Sequence, residues 1–307
     1  MPSVLYNAWK LATHRLHYKL VAPLRGWQLR RVTKPFWHRA AKGLWFFIDP
    51  TDYICIHVYK NGIYEEKYLS FLERHLSRRG VMLDVGANIG NHSLYLHDDF
   101  KKVYAFEPNP VALEKLNLHI TKNSIENITV FPVGLSDVAE TLAFESPTST
   151  NLGTGRFLRA DQEIPTTAKV MHLKTEIGDS VLRDQGIEDV DFIKIDVEGL
   201  EIEVMRGLQN TIHRDKPVIA FEWHGRTRSQ AEFEQIREML SGYKFFEMLE
   251  WAPEEMTMPE KLLFRLRHGY ESQLAPVNQP ERRTYWQLIA MANQSDLRGY
   301  DMPRSEK

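Results

Sequence analysis

The chain has 307 residues, 43% of them hydrophobic and 26% charged, which suits one large α/β domain or one domain with substantial additions. Its single cysteine, Cys55, excludes a disulfide framework and a thiolate metal cluster; within Tyr53-Ile54-Cys55-Ile56 it reads as a small buried residue. The net charge of −2 hides an asymmetry: Met1 to Ile48 carries nine Lys and Arg and no acid, leaving about −11 on the remainder.

Residues 1–43 predict a basic helical extension, with Leu5, Trp9, Ala12, Leu16 and Leu20 at helical spacing. Such a segment can lie on an anionic membrane surface, or pack on the core with its charges in water. No apolar run of roughly 7–15 residues leads to a small-residue cleavage site. Nor is there a stretch of about 18 apolar residues. A cytoplasmic protein is expected, with at most a peripheral contact at the inner membrane.

Residues 44–80 form a lead-in. Short strands are predicted over 44–58 around Asp49-Pro50-Thr51-Asp52. A helix is predicted over 64–78, with Tyr68, Leu69, Phe71, Leu72 and Leu76 as its apolar stripe and Gly80 as its C-cap. From 81 to 250 strands and helices alternate. Strands are expected at 81–85, 102–106, 128–133, 192–197, 217–223 and 243–250, and helices at 91–97, 110–122, 200–213 and 230–240. This order implies a mostly parallel sheet with helices on both faces, and in such a sheet ligands bind beyond the C-terminal strand ends. Residues 251–307 form a C-terminal extension in which Arg282–Asn293 predicts a helix carrying Tyr285, Trp286, Leu288 and Ile289.

The chemistry-bearing motifs fall at those strand ends. Leu83-Asp84-Val85-Gly86-Ala87-Asn88-Ile89-Gly90 joins a strand to a helix. Gly86 permits a sharp turn and a close ligand approach, Gly90 permits tight packing, and the amides at the helix start favour negative groups. A dinucleotide fingerprint would need glycine where Asn88 stands, so the pyrophosphate turn is altered. This favours a cofactor without pyrophosphate, S-adenosylmethionine, whose amine Asp84 could face. Glu107 follows 21 residues after Gly86, placed to accept both ribose hydroxyls, and Pro108 stiffens the turn. At the third strand end, Leu135 could lie against an adenine, with Ser136 or Asp137 near its amine.

These motifs resemble the FkbM family of methyltransferases. The resemblance rests on Leu83–Gly90, on Phe106-Glu107-Pro108 and on Val133-Gly134-Leu135-Ser136-Asp137. It continues through Ile193-Lys194-Ile195-Asp196-Val197-Glu198-Gly199-Leu200-Glu201 and Phe221-Glu222-Trp223-His224, with Gly62-Ile63-Tyr64-Glu65 upstream. It covers about residues 60–225 and implies a class I methyltransferase, Rossmann-like fold with O-methylation of a sugar or natural-product hydroxyl. His92 departs from the family pattern and is assigned no chemistry.

Alcohol methylation needs an acceptor held in line and relieved of its proton. Asp196 and His224 are the candidate bases. Glu222 lies two residues from His224 and Lys194 two from Asp196, each pair sharing a strand face. Glu198 reads as a cap for the following helix. Asp196, Glu222 and His224 could ligate a divalent cation, but nothing in the sequence requires one and no metal is predicted. The irregular stretch from Ser146 to Thr167, with Thr148, Ser149, Thr150, Asn151 and Arg156, is a candidate acceptor contact. The expected partner is a small-molecule or glycan acceptor, not nucleic acid: a nucleic-acid methyltransferase would use the basic segment as its footprint, but the core is acidic. A non-catalytic binding module would not need the intact strand-end acids.

Overall fold

The computed structural model describes residues 20–146, 155–157, 169–249, 257, 259, 273–281, 283–293 and 296–298. The chain order begins with helix α1 (Ala22–Leu29), then the antiparallel pair β1 (Phe36–Arg39) and β2 (Trp45–Ile48). Next come α2 (Tyr53–Asn61) and α3 (Glu66–His75). The region 44–58 is thus half strand and half helix, not the run of strands expected. Asp52 Oδ1 accepts the Cys55 N–H at 2.8 Å as an N-cap, and Gly62 closes the helix at φ 94°. The two end signals outweigh the β-branched run between them. Gly80 is no cap, since α3 closes at Leu76.

The central unit follows as β3 (Val81–Val85), α4 (Asn91–Leu96), β4 (Lys102–Phe106), α5 (Pro110–Lys122) and β5 (Ile128–Phe131). A second sheet interrupts it: β6 (Gly134–Ser136), β7 (Glu140–Ser146), β8 (Arg156–Phe157) and β9 (Lys169–Ile177), ordered β6-β9-β7-β8. These strands lie where the sequence predicts none. Thr148 to Asn151 lie outside the described residues. The main unit resumes with α6 (Gly178–Asp184), β10 (Val190–Ile195), α7 (Glu201–Gly207), α8 (Gln209–Asp215), β11 (Val218–His224), α9 (Gln230–Met239) and β12 (Lys244–Leu249). The single helix expected over 200–213 breaks at Leu208. There Gly207 presses on β6 so closely that a Cβ would stand 2.0 Å from the Ser136 carbonyl oxygen.

Two strands past residue 250 complete the sheet, β13 (Gln273–Pro276) and β14 (Thr284–Met291). Their order is β13-β12-β14-β11-β10-β3-β4-β5, with β11 through β5 parallel and β14 antiparallel to both neighbours. The helix expected over 282–293 is corrected to this strand. Leu288, Ile289 and Ala290 are all buried, because helices cover both faces and the alternation that marks a half-exposed strand is lost.

Strand side chains alternate between two cores. Met82, Val103, Ala105 and Phe192 join Leu69, Leu94 and Leu116 of α3, α4 and α5. Leu83, Val85, Ile193 and Ile195 join Leu182, Ile202, Ile212 and Phe233 of α6 to α9. The chain runs outward from β3 through β4 to β5, then returns to β10 on the other side of β3. The switch point thus lies between β3 and β10, where a crevice opens at the strand ends.

Candidate active site

The glycine turn after β3 is fixed by its neighbours. Gly86 has φ 78°, and a Cβ there would stand 1.8 Å from the Asp196 carbonyl oxygen. Glycine is needed because the end of β10 comes this close. Gly90, at φ 87°, is pressed by Leu94 and Leu116. Asn88 also takes a left-handed conformation, φ 52°. Ala87 is in the core, so the turn meets the crevice through Gly86 and Asn88.

Asp84 does not reach the crevice. It is fully buried, and its Oδ2 accepts from the Ser93 N–H at 3.1 Å and from the Ser93 hydroxyl at 2.5 Å. Its other oxygen lies 3.4 Å from Lys194 Nζ, which also lies 3.3 Å from Asp196 Oδ2 and donates to the Gly86 carbonyl at 2.6 Å. Despite burial, the two carboxylates raise the Lys194 pKa above its ordinary value. Asp84, read as facing the cofactor amine, instead braces the turn, while Lys194 pairs with Asp196 on their shared strand face and aims it. His92 is likewise structural, with Nε2 2.8 Å from Glu65 Oε2.

Glu107 begins the loop after β4. Its Oε2 accepts the Asn88 N–H at 2.7 Å and its Oε1 the Asn109 N–H at 2.8 Å. Burial pushes its pKa up to about 7, against the pull of these two N–H groups. Each oxygen keeps a second lone pair, and the residue lines the crevice.

The crevice holds about 360 Å³. Gly86, Asn88, Glu107 and Pro108 contribute polar and backbone surface, while Leu135, Phe144 and Phe157 form apolar wall. Ser136 is buried, and its hydroxyl donates to Asp137 Oδ1 at 3.3 Å. Asp137 is itself paired with Arg206. Leu135 thus keeps its place in the site, and Ser136 does not line the crevice.

Asp196, Glu198, Glu222 and His224 line the same crevice from the ends of β10 and β11. The Asp196 side chain is 37% exposed. Glu222 is buried, and its Oε1 lies 3.3 Å from His224 Nε2 without accepting a well-aligned hydrogen bond. Burial raises the Glu222 pKa, His224 opposes this, and Asp196 adds to it. Glu222 in turn raises the pKa of His224. Sequence reading missed Glu198 as a site residue. It caps no helix: the residue before α7 is Leu200, without a side-chain cap, and Glu201 takes the Gly199 N–H at 2.9 Å. Glu198 stands at φ 52°, and burial, then the Asp196 and Glu222 charges, push its pKa up to about 8. The signal was present in sequence: Glu198 follows Asp196 by two residues, as His224 follows Glu222. Tyr53 and Tyr64, from the lead-in, also line the crevice.

A parallel sheet with its switch point between β3 and β10, a glycine turn after β3 and an acid after β4 define a class I methyltransferase fold. The Methyltransferase FkbM domain matches residues 84–246, and the chain belongs to this family. Hexuronic acid methyltransferase AglP of Haloferax volcanii is 33% identical over 152 residues, 48% of this chain and 58% of that protein. The chain therefore spans little more than half of that relative. Methyltransferase sdnD of Sordaria araneosa is 30% identical over 210 residues, 58% of this chain and 79% of that protein. Among solved structures, methyltransferase FkbM from Methylobacillus flagellatus aligns with TM-score 0.42 and 17% identity, over 70% of this chain and 44% of that one.

Proposed function

We propose that this protein transfers a methyl group from S-adenosylmethionine to a hydroxyl of a sugar or glycan. The observation that carries this reading is the convergence of Glu107, Asp196, Glu222 and His224 on one crevice at the switch point. The residues present suit the cofactor. The free lone pairs of Glu107 fit a ribose diol, Leu135, Phe144 and Phe157 fit a purine, and the crevice lacks the glycine at 88 that a pyrophosphate would favour. When bound, the cofactor supplies an electrophilic methyl on a sulfonium.

The chain's own groups then do three things. Glu107 anchors the ribose, and Gly86 and Asn88 shape the floor. Asp196, held by Lys194 and more exposed than Glu222, orients the acceptor hydroxyl. Asp196 would take the hydroxyl proton as general base, while the hydroxyl oxygen would take the methyl of a bound cofactor, leaving S-adenosylhomocysteine. The sugar acceptor is supported by the likeness to a hexuronic acid methyltransferase. Exposed Leu20, Leu24 and Trp27 beside Arg25 and Arg31 on α1 and its flanks support peripheral contact with an anionic bilayer. Among the described residues no helix is long and apolar enough to cross a membrane.

The test follows S-adenosylhomocysteine release with hexuronic-acid glycans and neutral glycans as acceptors. Turnover on a glycan that Asp196→Asn lowers about a hundredfold or more supports the reading. Binding of S-adenosylhomocysteine without turnover on any glycan would remove the acceptor class.

A further inference from the structure

We propose that Glu198, Glu222 and His224 bind a divalent cation of the Mn²⁺ type. One ligand atom from each lies within 4.8 Å of the others, a spread that small side-chain rotations close to coordination distance. The set is not a surface acid patch. It joins two carboxylates and an imidazole on adjacent parallel strand ends, inside a crevice.

The independent sign of a ligand is Glu222. Its side chain is 8% exposed, yet Oε1 accepts no hydrogen bond. A buried carboxylate oxygen whose one polar neighbour is not aligned to donate is costly. This oxygen faces His224 Nε2 at 3.3 Å across the crevice wall. A cation between them satisfies both. Glu198 and Glu222 have no Lys or Arg partner among the described residues, since Lys194 serves Asp84 and Asp196, and Arg228 serves Glu201 and Glu232. Two oxygens and one imidazole nitrogen suit Mn²⁺ better than the harder Ca²⁺ or a thiolate-seeking metal. Three protein ligands leave positions open, and Asp196 and Tyr64 line the same space. An acceptor oxygen bound there would be acidified beside the Asp196 base. That role rests on the methyl-transfer reading; the cation site does not.

The experiment is a Mn²⁺ titration of the full chain, with the free ion read by electron paramagnetic resonance and S-adenosylhomocysteine binding measured on the same samples. We expect one Mn²⁺ per chain bound at or below about 1 mM. Glu222→Gln and His224→Ala should each weaken it at least about tenfold while S-adenosylhomocysteine binding persists. Glu198→Gln lies in the loop after β10, so it serves if the strand variants do not fold. No bound Mn²⁺ at about 1 mM in a wild-type chain with native circular dichroism overturns the proposal. So does equal Mn²⁺ binding by wild type and folded variants. A wild type that binds Mn²⁺ but not S-adenosylhomocysteine supports the cation site and counts against the cofactor reading alone.

Discussion

Replacing Glu107 by Gln probes the cofactor anchor and its charge together. The folded-state pKa of about 7 exceeds the ordinary 4.5. Glu107 therefore binds its proton more tightly when folded, and stability falls as pH rises from about 4.5 through about 7, by on the order of 3 kcal/mol in all. Ribose hydroxyls donate to the ionised form and so favour it. The ionised fraction is about one tenth at pH 6 and about nine tenths at pH 8, so S-adenosylhomocysteine should bind the wild type about tenfold more tightly at pH 8. In Glu107→Gln this step vanishes. One amide nitrogen also meets a backbone N–H of Asn88 or Asn109, and charge-assisted bonds are lost, which costs about 2 kcal/mol or some thirtyfold in affinity at pH 8. Equilibrium dialysis at both pH values measures all of this. A wild-type affinity flat between pH 6 and 8, or a variant that keeps the step, would refute the reasoning.

Further predictions concern the frame and the surface. Gly86→Ala forces a Cβ against the Asp196 carbonyl in a left-handed conformation; urea melts should register a loss of about 2–5 kcal/mol, with weakened cofactor binding. Lys194→Met leaves buried Asp84 without its cation, so a loss of about 3–5 kcal/mol is expected, and unchanged stability would contradict this role for Lys194. In vesicle co-sedimentation, Trp27→Ser together with Leu24→Ser should lower retention on anionic but not zwitterionic bilayers, reversibly with salt. Equal retention of the variant would assign α1 to packing alone.

The parallel half of the sheet was legible because its short apolar strands alternate with helical segments along the chain. The run from β3 to β5, then β10 and β11, reads as short apolar strands, and Pro110 suits the first turn of α5. The Gly86 turn and Glu107 were legible because their spacing is local. What failed was non-local. Thr284–Met291 is apolar on both sides because α helices and neighbouring strands cover it, so its period is mute. Glu198 looked like a cap because sequence places it before a helix, whereas its backbone turns left-handed and sends it toward Glu222. Asp84 looked like a ligand because it borders the turn, yet burial beside Lys194 is a property of packing that spacing cannot carry.

Methyl transfer itself is tested most directly with S-adenosylmethionine bearing a deuterated methyl group, incubated with the protein and hexuronic-acid glycans and read by mass spectrometry and NMR. The account predicts the labelled methyl on a sugar oxygen, with one S-adenosylhomocysteine formed per methyl transferred. A folded protein that binds S-adenosylhomocysteine yet leaves every sugar oxygen unlabelled would contradict it.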